Sequence, residues 1–431
     1  MHNIKETIEK IFELHKFGVK YGLQNTINFL HQIGNPHEKL KCFHIVGSNG
    51  KGSTASFISS ILKEEGFKVG LYMSPHFIRF NERIKVNGKE IEDEYLVDFF
   101  IENEEYIRYN KITFFEFTTV LAFKYFADFP VDYAVIEAGL GGRLDSTNVV
   151  TPLASIITSI SLEHTDILGN SIEQITAEKA AIIKPGVKAF TGLIPKVAKE
   201  IIENRCDELG VEYFHVEDFT IKRDTYLELY TEELSIDKLD SPLKGFYQKY
   251  NAALSVLVVN KTIDLHNLSN IQKGLKNVVP NTAFQGRYEI YSESPKVILD
   301  SAHNPEGIYH FINEFKSESK NYKKKTVLFT ALKDKNRPEM FQNIKGAFDE
   351  YFVTEIDFER SSKVEELVEI AAEIGIKANE EKDFAQFITD FLKDKSNSEN
   401  CLVIIGSMYL LGEVKKSLLE INNKTKTDQS V

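Results

Sequence analysis

A chain of 431 residues, 42% hydrophobic and 27% charged, has the length for two or three domains and the composition of an ordinary globular protein. Its net charge of −12 argues against a nucleic-acid surface as the main partner, while leaving room for a local basic pocket. The three cysteines, Cys42, Cys206 and Cys401, are too few and too far apart for a disulfide framework or a metal-ligand pattern. With no secretory layout at the N-terminus and no apolar run of membrane-spanning length, a reduced cytoplasmic protein without membrane or nucleic-acid partners is expected.

Along the first 270 residues, apolar strands alternate with helical patterns. Strands are expected at 42–46, 69–73, 133–136, 155–160 and 187–191, and helices near 54–65, 93–109, 114–127 and 171–183. That rhythm predicts a mostly parallel sheet covered on both faces. Residues 212–236 alternate in the strand period instead and read as an antiparallel edge or small accessory sheet. A second series comes next, with strands at 296–299, 326–330, 350–354 and 401–405 and helices near 305–316, 338–346, 363–375, 383–394 and 409–421. Tyr291–Pro295 reads as the linker. The expected fold is therefore α/β: an N-terminal, P-loop NTPase-like domain over 1–292 and a smaller, Rossmann-like domain over 293–421, with an active-site cleft between them. Residues 422–431 read as a disordered polar tail.

The stretch Gly47-Ser48-Asn49-Gly50-Lys51-Gly52-Ser53-Thr54 joins the first strand to a helical pattern. Glycines let backbone N–H groups close on an anion, and the helix aims its positive end at the same place. Lys51 can reach β- and γ-phosphates, and Ser53 or Thr54 can put a hydroxyl on Mg²⁺. The match to the general phosphate-loop pattern is not literal, since Ile45 and Gly52 stand where Gly and Ser or Thr belong. A glycine-rich turn of purely structural meaning is the other reading.

Polar residues gather at the expected carboxyl ends of strands, where open α/β sheets hold ligands. They are Ser74-Pro75-His76 after the second strand, Glu137 after the third and Ser161-Leu162-Glu163-His164 after the fourth. Each alone could be a cap or a loop residue; together they could complete a Mg²⁺ shell. Lys179 alone reads as a solvated helix lysine. His303, in Asp300-Ser301-Ala302-His303-Asn304-Pro305, is as compatible with an ordinary loop as with catalysis.

Several segments in order resemble the folylpolyglutamate synthases, in the version that often also makes dihydrofolate, within the Mur ligase superfamily. They are HIVGSNGKGS (44–53), SPHFIRFNERI (74–84), IEAGLGGRLDSTN (136–148), SLEHTDILG (161–169) and EKAAIIKPG (178–186). YQKYNAAL (247–254), GRYE (286–289), LDSAHNP (299–305) and GSMYLLGEV (406–414) complete the set, which spans nearly all of both domains.

The resemblance implies an ATP-dependent amide ligase with folate or dihydropteroate and L-glutamate as substrates, working through an acyl phosphate, with two Mg²⁺ ions. It implies nucleotide contacts from Gly47, Asn49, Gly50, Lys51, Gly52, Ser53, Thr54, Asn251 and Arg287. Metal ligation would come from Ser53, Ser74, Glu137 and His164. Lys179 would be carbamylated, with Asp300 and His303 catalytic. Ser74, Pro75, His76 and Arg83 would lie in the mobile substrate loop, and Asp145 at the pterin. A monomer is expected. The chain departs from the family pattern at Ser48, Tyr247, Ser301 and the loop 331–336. The rival readings are a cell-wall Mur ligase, which usually carries Thr where Gly52 stands, and a nucleotide-binding switch without ligase chemistry.

Overall fold

The computed structural model describes residues 4–18 and 22–428, in two compact units. The first holds most of the chain up to Phe284. The second runs from Gln285 and includes the short segments Phe77–Arg79 and Leu243–Tyr247. No helix among the described residues is long and apolar enough to cross a membrane.

The first unit is built on an eight-stranded sheet in the order Lys89–Glu90, Ile84–Val86, Val69–Tyr72, Tyr133–Glu137, Cys42–Val46, Ala154–Ile157, Lys188–Thr191, Tyr213–His215. The six strands from Val69–Tyr72 onward are parallel, and the hairpin at the first edge is antiparallel. Cys42–Val46 is buried along its whole length, as a central strand covered on both faces requires. The chain leaves this strand toward one edge of the sheet and later fills in on the other side of it. That reversal is where such sheets place ligands.

Helices cover the sheet. Phe114–Asp128 starts with a capping box, Thr113 with Glu116, and drives Phe117, Val120, Leu121, Phe123 and Phe126 into the core. Of residues 212–236, only 220–236 form the expected accessory sheet, three short antiparallel strands, whereas Tyr213–His215 joins the main sheet as its parallel edge.

The second unit has a six-stranded sheet in the order Glu289–Glu293, Lys296–Leu299, Cys401–Ile405, Lys325–Phe329, Glu350–Val353, Ala378–Glu380. All pairs are parallel except the first. Two expectations change here. The stretch 291–295 is no linker: Glu289–Glu293 pairs antiparallel with Lys296–Leu299, and the turn residues that suggested a break form the hairpin. The polar tail is helical as far as Asp428, continuing a helix that starts at Met408 and is anchored by Leu410, Leu411, Val414 and Leu418. Once such a helix is nucleated by packing, each further turn adds a hydrogen bond per residue fixed. Residues 429–431 of that expected tail lie outside the described residues.

Candidate functional site

Parallel neighbours put the ends of Val69–Tyr72, Tyr133–Glu137, Cys42–Val46 and Ala154–Ile157 side by side, spaced by about 5 Å. The loops leaving these four strands therefore meet at one edge of the sheet. After Val46 the backbone turns through Gly47 (φ 153°) and Gly50 (φ 86°) into the helix Lys51–Glu64. Neither position tolerates a side chain: a Cβ on Gly47 would overlap the Thr158 hydroxyl, and one on Gly50 would lie 2.7 Å from Asn251 Oδ1.

The loop is pinned from the neighbouring strand. Asn49 N–H donates to Ser159 Oγ (2.8 Å), Thr158 Oγ1 donates to the Asn49 carbonyl (2.6 Å), and Ser48 N–H donates to the Ser159 carbonyl (3.0 Å). Lys51 curls back, its ammonium donating to the carbonyls of Gly47 (2.7 Å) and Ser48 (3.2 Å). At the head of the helix, Ser53 Oγ and Thr54 Oγ1 are buried without a hydrogen-bond partner. Buried hydroxyls are ordinarily satisfied, so these two suit an oxygen-seeking cation or a phosphate.

Glu137 ends its strand as a buried carboxylate, and Ser74 N–H donates to its Oε2 (3.2 Å). A Cβ on Gly52 would sit 3.6 Å from that same oxygen and 3.4 Å from the Phe284 ring, so the missing side chain at 52 opens space between them. His164 is held in left-handed backbone (φ 47°), a conformation costing on the order of 1–3 kcal/mol for a residue with a Cβ. Such strain gathers at functional sites. No cluster of three or more His, Cys, Asp or Glu side chains suited to a metal exists among the described residues. The expected set of two hydroxyls, one carboxylate and one imidazole contains only two of those types, and oxygen donors completed by water suit Mg²⁺.

Lys179, on the helix Ile172–Ala180, is not solvated. It is 1% exposed, and its ammonium meets Glu163 Oε1 at 3.0 Å. Burial holds the Lys179 ammonium below the usual lysine value against the pull of Glu163, and the Lys51 charge pushes the same way as burial. Burial works to raise the Glu163 carboxyl, but Lys179 and then Lys51 outweigh it and hold it at about 2. Sequence reasoning gave Glu163 no role of its own; its partner lies on another element, and only the fold joins them.

Asp145 is engaged within its own loop. Its Oδ2 accepts from the N–H groups of Gly139 (2.9 Å) and Leu140 (2.8 Å). Its Oδ1 accepts from Thr147 N (3.0 Å) and Thr147 Oγ1 (2.5 Å). A carboxylate has about four acceptor positions, and all are taken within the loop. Asp145 thus organises residues 139–147.

His76 Nδ1 accepts from Arg83 Nε (2.7 Å), and Arg83 lies over the Phe114 ring at 5.1 Å. Burial, Arg83 and His15 together hold His76 down to about 3, so the ring is neutral. Ser74 and Pro75 precede it at the end of the second strand.

The second unit brings Arg287, Asp300 and His303 together. Asp300, at the end of Lys296–Leu299, accepts from Tyr288 N–H (2.7 Å) and Ala302 N–H (2.8 Å). Burial raises its carboxyl, and the charge of Arg287 opposes the rise. His303 Nδ1 lies 2.9 Å from the Ser301 carbonyl, so that nitrogen carries the proton and Nε2 holds the lone pair in the neutral ring. Asn304 and Pro305 then start the helix Pro305–Glu318, with Asn304 Oδ1 accepting from Gly307 N–H (2.7 Å).

Ser301, which departs from the family pattern, braces the turn by donating both N–H (3.0 Å) and Oγ (2.8 Å) to the Gly286 carbonyl. Gly286 N–H in turn donates to Glu289 (2.7 Å), whose carboxylate is clamped by the Lys415 ammonium (2.7 Å). Glu289 entered the sequence reading only as the last residue of GRYE, with no role assigned, and Lys415 carried no signal.

The chain as a whole is similar to relatives of known kind. Residues 45–259 match the Mur ligase middle domain, and residues 286–408 match the Mur ligase glutamate ligase domain. The chain is 36% identical to the dihydrofolate synthase/folylpolyglutamate synthase of Bacillus subtilis, covering 94% of this chain and 96% of that protein. It superposes on the crystal structure of a folylpolyglutamate synthase from Thermotoga maritima with TM-score 0.82 and 31% identity, covering 96% of this chain and 97% of the other. A bifunctional folylpolyglutamate synthase/dihydrofolate synthase from Yersinia pestis, complexed with AMPPNP and Mn ion, matches with TM-score 0.85 and 26% identity over 97% and 98%. The chain belongs to the folylpolyglutamate synthase/dihydrofolate synthase family of Mur ligases.

Proposed function

We propose that the protein is an ATP-dependent ligase that adds L-glutamate to folates, extending the tail of tetrahydrofolate and also converting dihydropteroate to dihydrofolate. The observation that carries this reading is the meeting, at one sheet edge, of a phosphate loop with a buried carboxylate and a buried lysine. Lys51, the loop N–H groups and the helix N-terminus face the triphosphate, while Ser53, Ser74, Glu137 and His164 suit two Mg²⁺ ions. The metal, when bound, screens the repulsion between γ-phosphate and the acceptor's carboxylate.

In the first step a carboxylate oxygen of the folate attacks the γ-phosphorus and the bond to the β-phosphate oxygen breaks, giving an acyl phosphate and ADP. The amine of glutamate then attacks the acyl carbon, phosphate leaves, and the amine proton is lost to a base. His303, with its lone pair on Nε2, and Asp300, which orders the backbone around it, serve the glutamate side of this reaction. Asn251 and Arg287 serve the nucleotide.

Lys179 works as a carbamate. Its burial favours the neutral amine, whose nitrogen attacks the carbon of carbon dioxide and gives up one N–H proton to solvent, and the product is an anion matched to metal ions and Lys51. The enzyme acts in the cytoplasm as a monomer on small molecules, with no nucleic-acid or membrane partner, within one-carbon metabolism. Purified protein with ATP, Mg²⁺ and glutamate, given dihydropteroate or tetrahydrofolate in separate tubes, decides the matter. One glutamyl increment in product mass is expected with each acceptor. No increment with either acceptor overturns the ligase reading; none with dihydropteroate alone reduces it to polyglutamylation, and none with tetrahydrofolate alone reduces it to dihydrofolate synthesis.

A further inference from the structure

Behind the site runs a buried chain of polar contacts that the chemistry above does not use. His44 lies in the middle of the central strand, wholly buried, three residues before Gly47. Its Nε2 is 2.8 Å from Thr147 Oγ1, and that hydroxyl is 2.5 Å from Asp145 Oδ1. The direction of each bond follows from proton counting. A threonine hydroxyl has one proton, and Asp145 as a carboxylate can only accept it. Thr147 Oγ1 therefore receives its second bond from His44, so Nε2 carries the hydrogen and Nδ1 is bare. Nδ1 is indeed buried with no partner. Burial, aided by the Lys184 charge, keeps the ring neutral, holding it to about 3.

The far end of the chain reaches the site from two sides. Asp145 Oδ2 holds Gly139 and Leu140 N–H, the second and third residues after Glu137. Further along the loop, Arg143 N–H donates to the Glu178 carbonyl at 2.9 Å. A Cβ on Gly142 would lie 2.7 Å from that carbonyl oxygen and 3.1 Å from Lys179 Cα, so the loop backbone rests against the turn bearing Lys179.

We propose that His44 is a positioning residue of the ligase, acting through Thr147 and Asp145 to fix the loop that seats both Glu137 and Lys179. The relay is one connected network, so losing any link should release the whole of it. The proposal rests on the ligase reading, and its test separates the two.

Thr147→Val removes the hydroxyl while keeping the shape, and His44→Asn keeps an amide but falls short of Thr147. Each should lower kcat for tetrahydrofolate glutamylation at least tenfold and raise the Mg²⁺ concentration for half-maximal rate severalfold. The KM for glutamate should stay within twofold. Thr147→Ser and His44→Gln, which restore a hydroxyl and a donor of the right reach, should keep kcat within threefold of the parent. The double variant His44→Asn/Thr147→Val should be no worse than the poorer single one.

Calorimetry with AMPPNP at several Mg²⁺ concentrations gives a second readout free of turnover, in which Thr147→Val should show a weakened Mg²⁺ dependence. Parent-like kcat and Mg²⁺ response in Thr147→Val, or additive losses in the double variant, overturn the relay. If Thr147→Val yields no folded protein, His44→Gln against His44→Asn decides, and equal losses in both overturn it. A parent that ligates nothing overturns the ligase reading instead, and the Mg²⁺ dependence of AMPPNP binding then judges the relay on its own.

Discussion

At the scale of single residues, Lys51 and Lys179 begin from opposite sequence readings and end in one electrostatic group. Lys51 caps its own loop carbonyls, so in the proposed role it would exchange these two bonds for phosphate oxygens rather than cross open solvent. Lys51→Ala should leave the fold intact and lower ATP turnover at least a hundredfold, about 3 kcal/mol of lost transition-state stabilisation. A steady-state assay with near-parental kcat would refute that.

In the unmodified protein, where Lys179 still carries an ammonium, removing Glu163 leaves that charge buried and unpaired, and breaking such a pair costs on the order of 3–5 kcal/mol. Glu163 has a folded value near 2, below its ordinary 4.5, so its contribution is fully present above pH 4.5 and is lost as pH falls from there through about 2. Glu163→Gln should therefore lower the melting temperature at pH 7, and the gap to the parent should narrow on acidification through that window. A gap independent of pH would show that the pair is not what stabilises the loop.

Asp145 supplies a further test. Asparagine has one acceptor oxygen and turns two donor hydrogens toward groups that themselves donate, so Asp145→Asn should cost about 1–3 kcal/mol of local order. Because the damage falls on the loop rather than on a pterin contact, glutamylation of dihydropteroate and of tetrahydrofolate should fall together. Loss of the first alone would restore the pterin reading.

At the scale of elements, the strand–turn–helix around the phosphate loop was legible because glycine and lysine in that spacing have few structural alternatives. The Rossmann-like half was legible for a related reason: Asn304 and Pro305 mark a helix start after a short apolar strand. The helix Phe246–Ile263 was not. Residues Tyr250 through Asn260 are all buried, so it lacks the one-sided apolar stripe that periodicity detects. The hairpin around Ser294 was hidden by the turn residues that make it possible. Among site residues, those in loops at strand ends could be read, whereas Glu163, Thr147, Glu289 and Lys415 acquire meaning only from partners on other elements or from the folded loop around them.

The turn itself makes an element-scale prediction. Gly50→Ala would force a Cβ at φ 86° to within 2.7 Å of Asn251 Oδ1, so the loop must open. ATP affinity measured by calorimetry should fall more than tenfold, with the melting temperature little changed. An unchanged affinity would mean that the loop's closed form is not the binding form.

At the scale of the whole molecule, each unit carries a complete sheet with its own hydrophobic core, and the roles proposed above fall on residues of both. The phosphate loop, Asn251 and the hydroxyls suited to a metal belong to the first unit; His303 and Asp300 belong to the second. On the proposed assignment, the phosphate loop that holds the triphosphate does not depend on His303. A group acting on the incoming amine is needed in the transition state and contributes little to holding ATP in the ground state. His303→Ala should accordingly lower kcat at least thirtyfold, while the dissociation constant for AMPPNP and Mg²⁺ stays within twofold. The substitution removes the ring that donates to the Ser301 carbonyl, so a general loosening of the second unit is the competing explanation. His303→Asn separates the two, since its short amide can keep that donor without offering a basic nitrogen. His303→Asn should restore the melting temperature but not the rate. Recovery of the rate in that variant would assign His303 a purely structural role, and a large loss of nucleotide affinity in either variant would place it with the nucleotide instead.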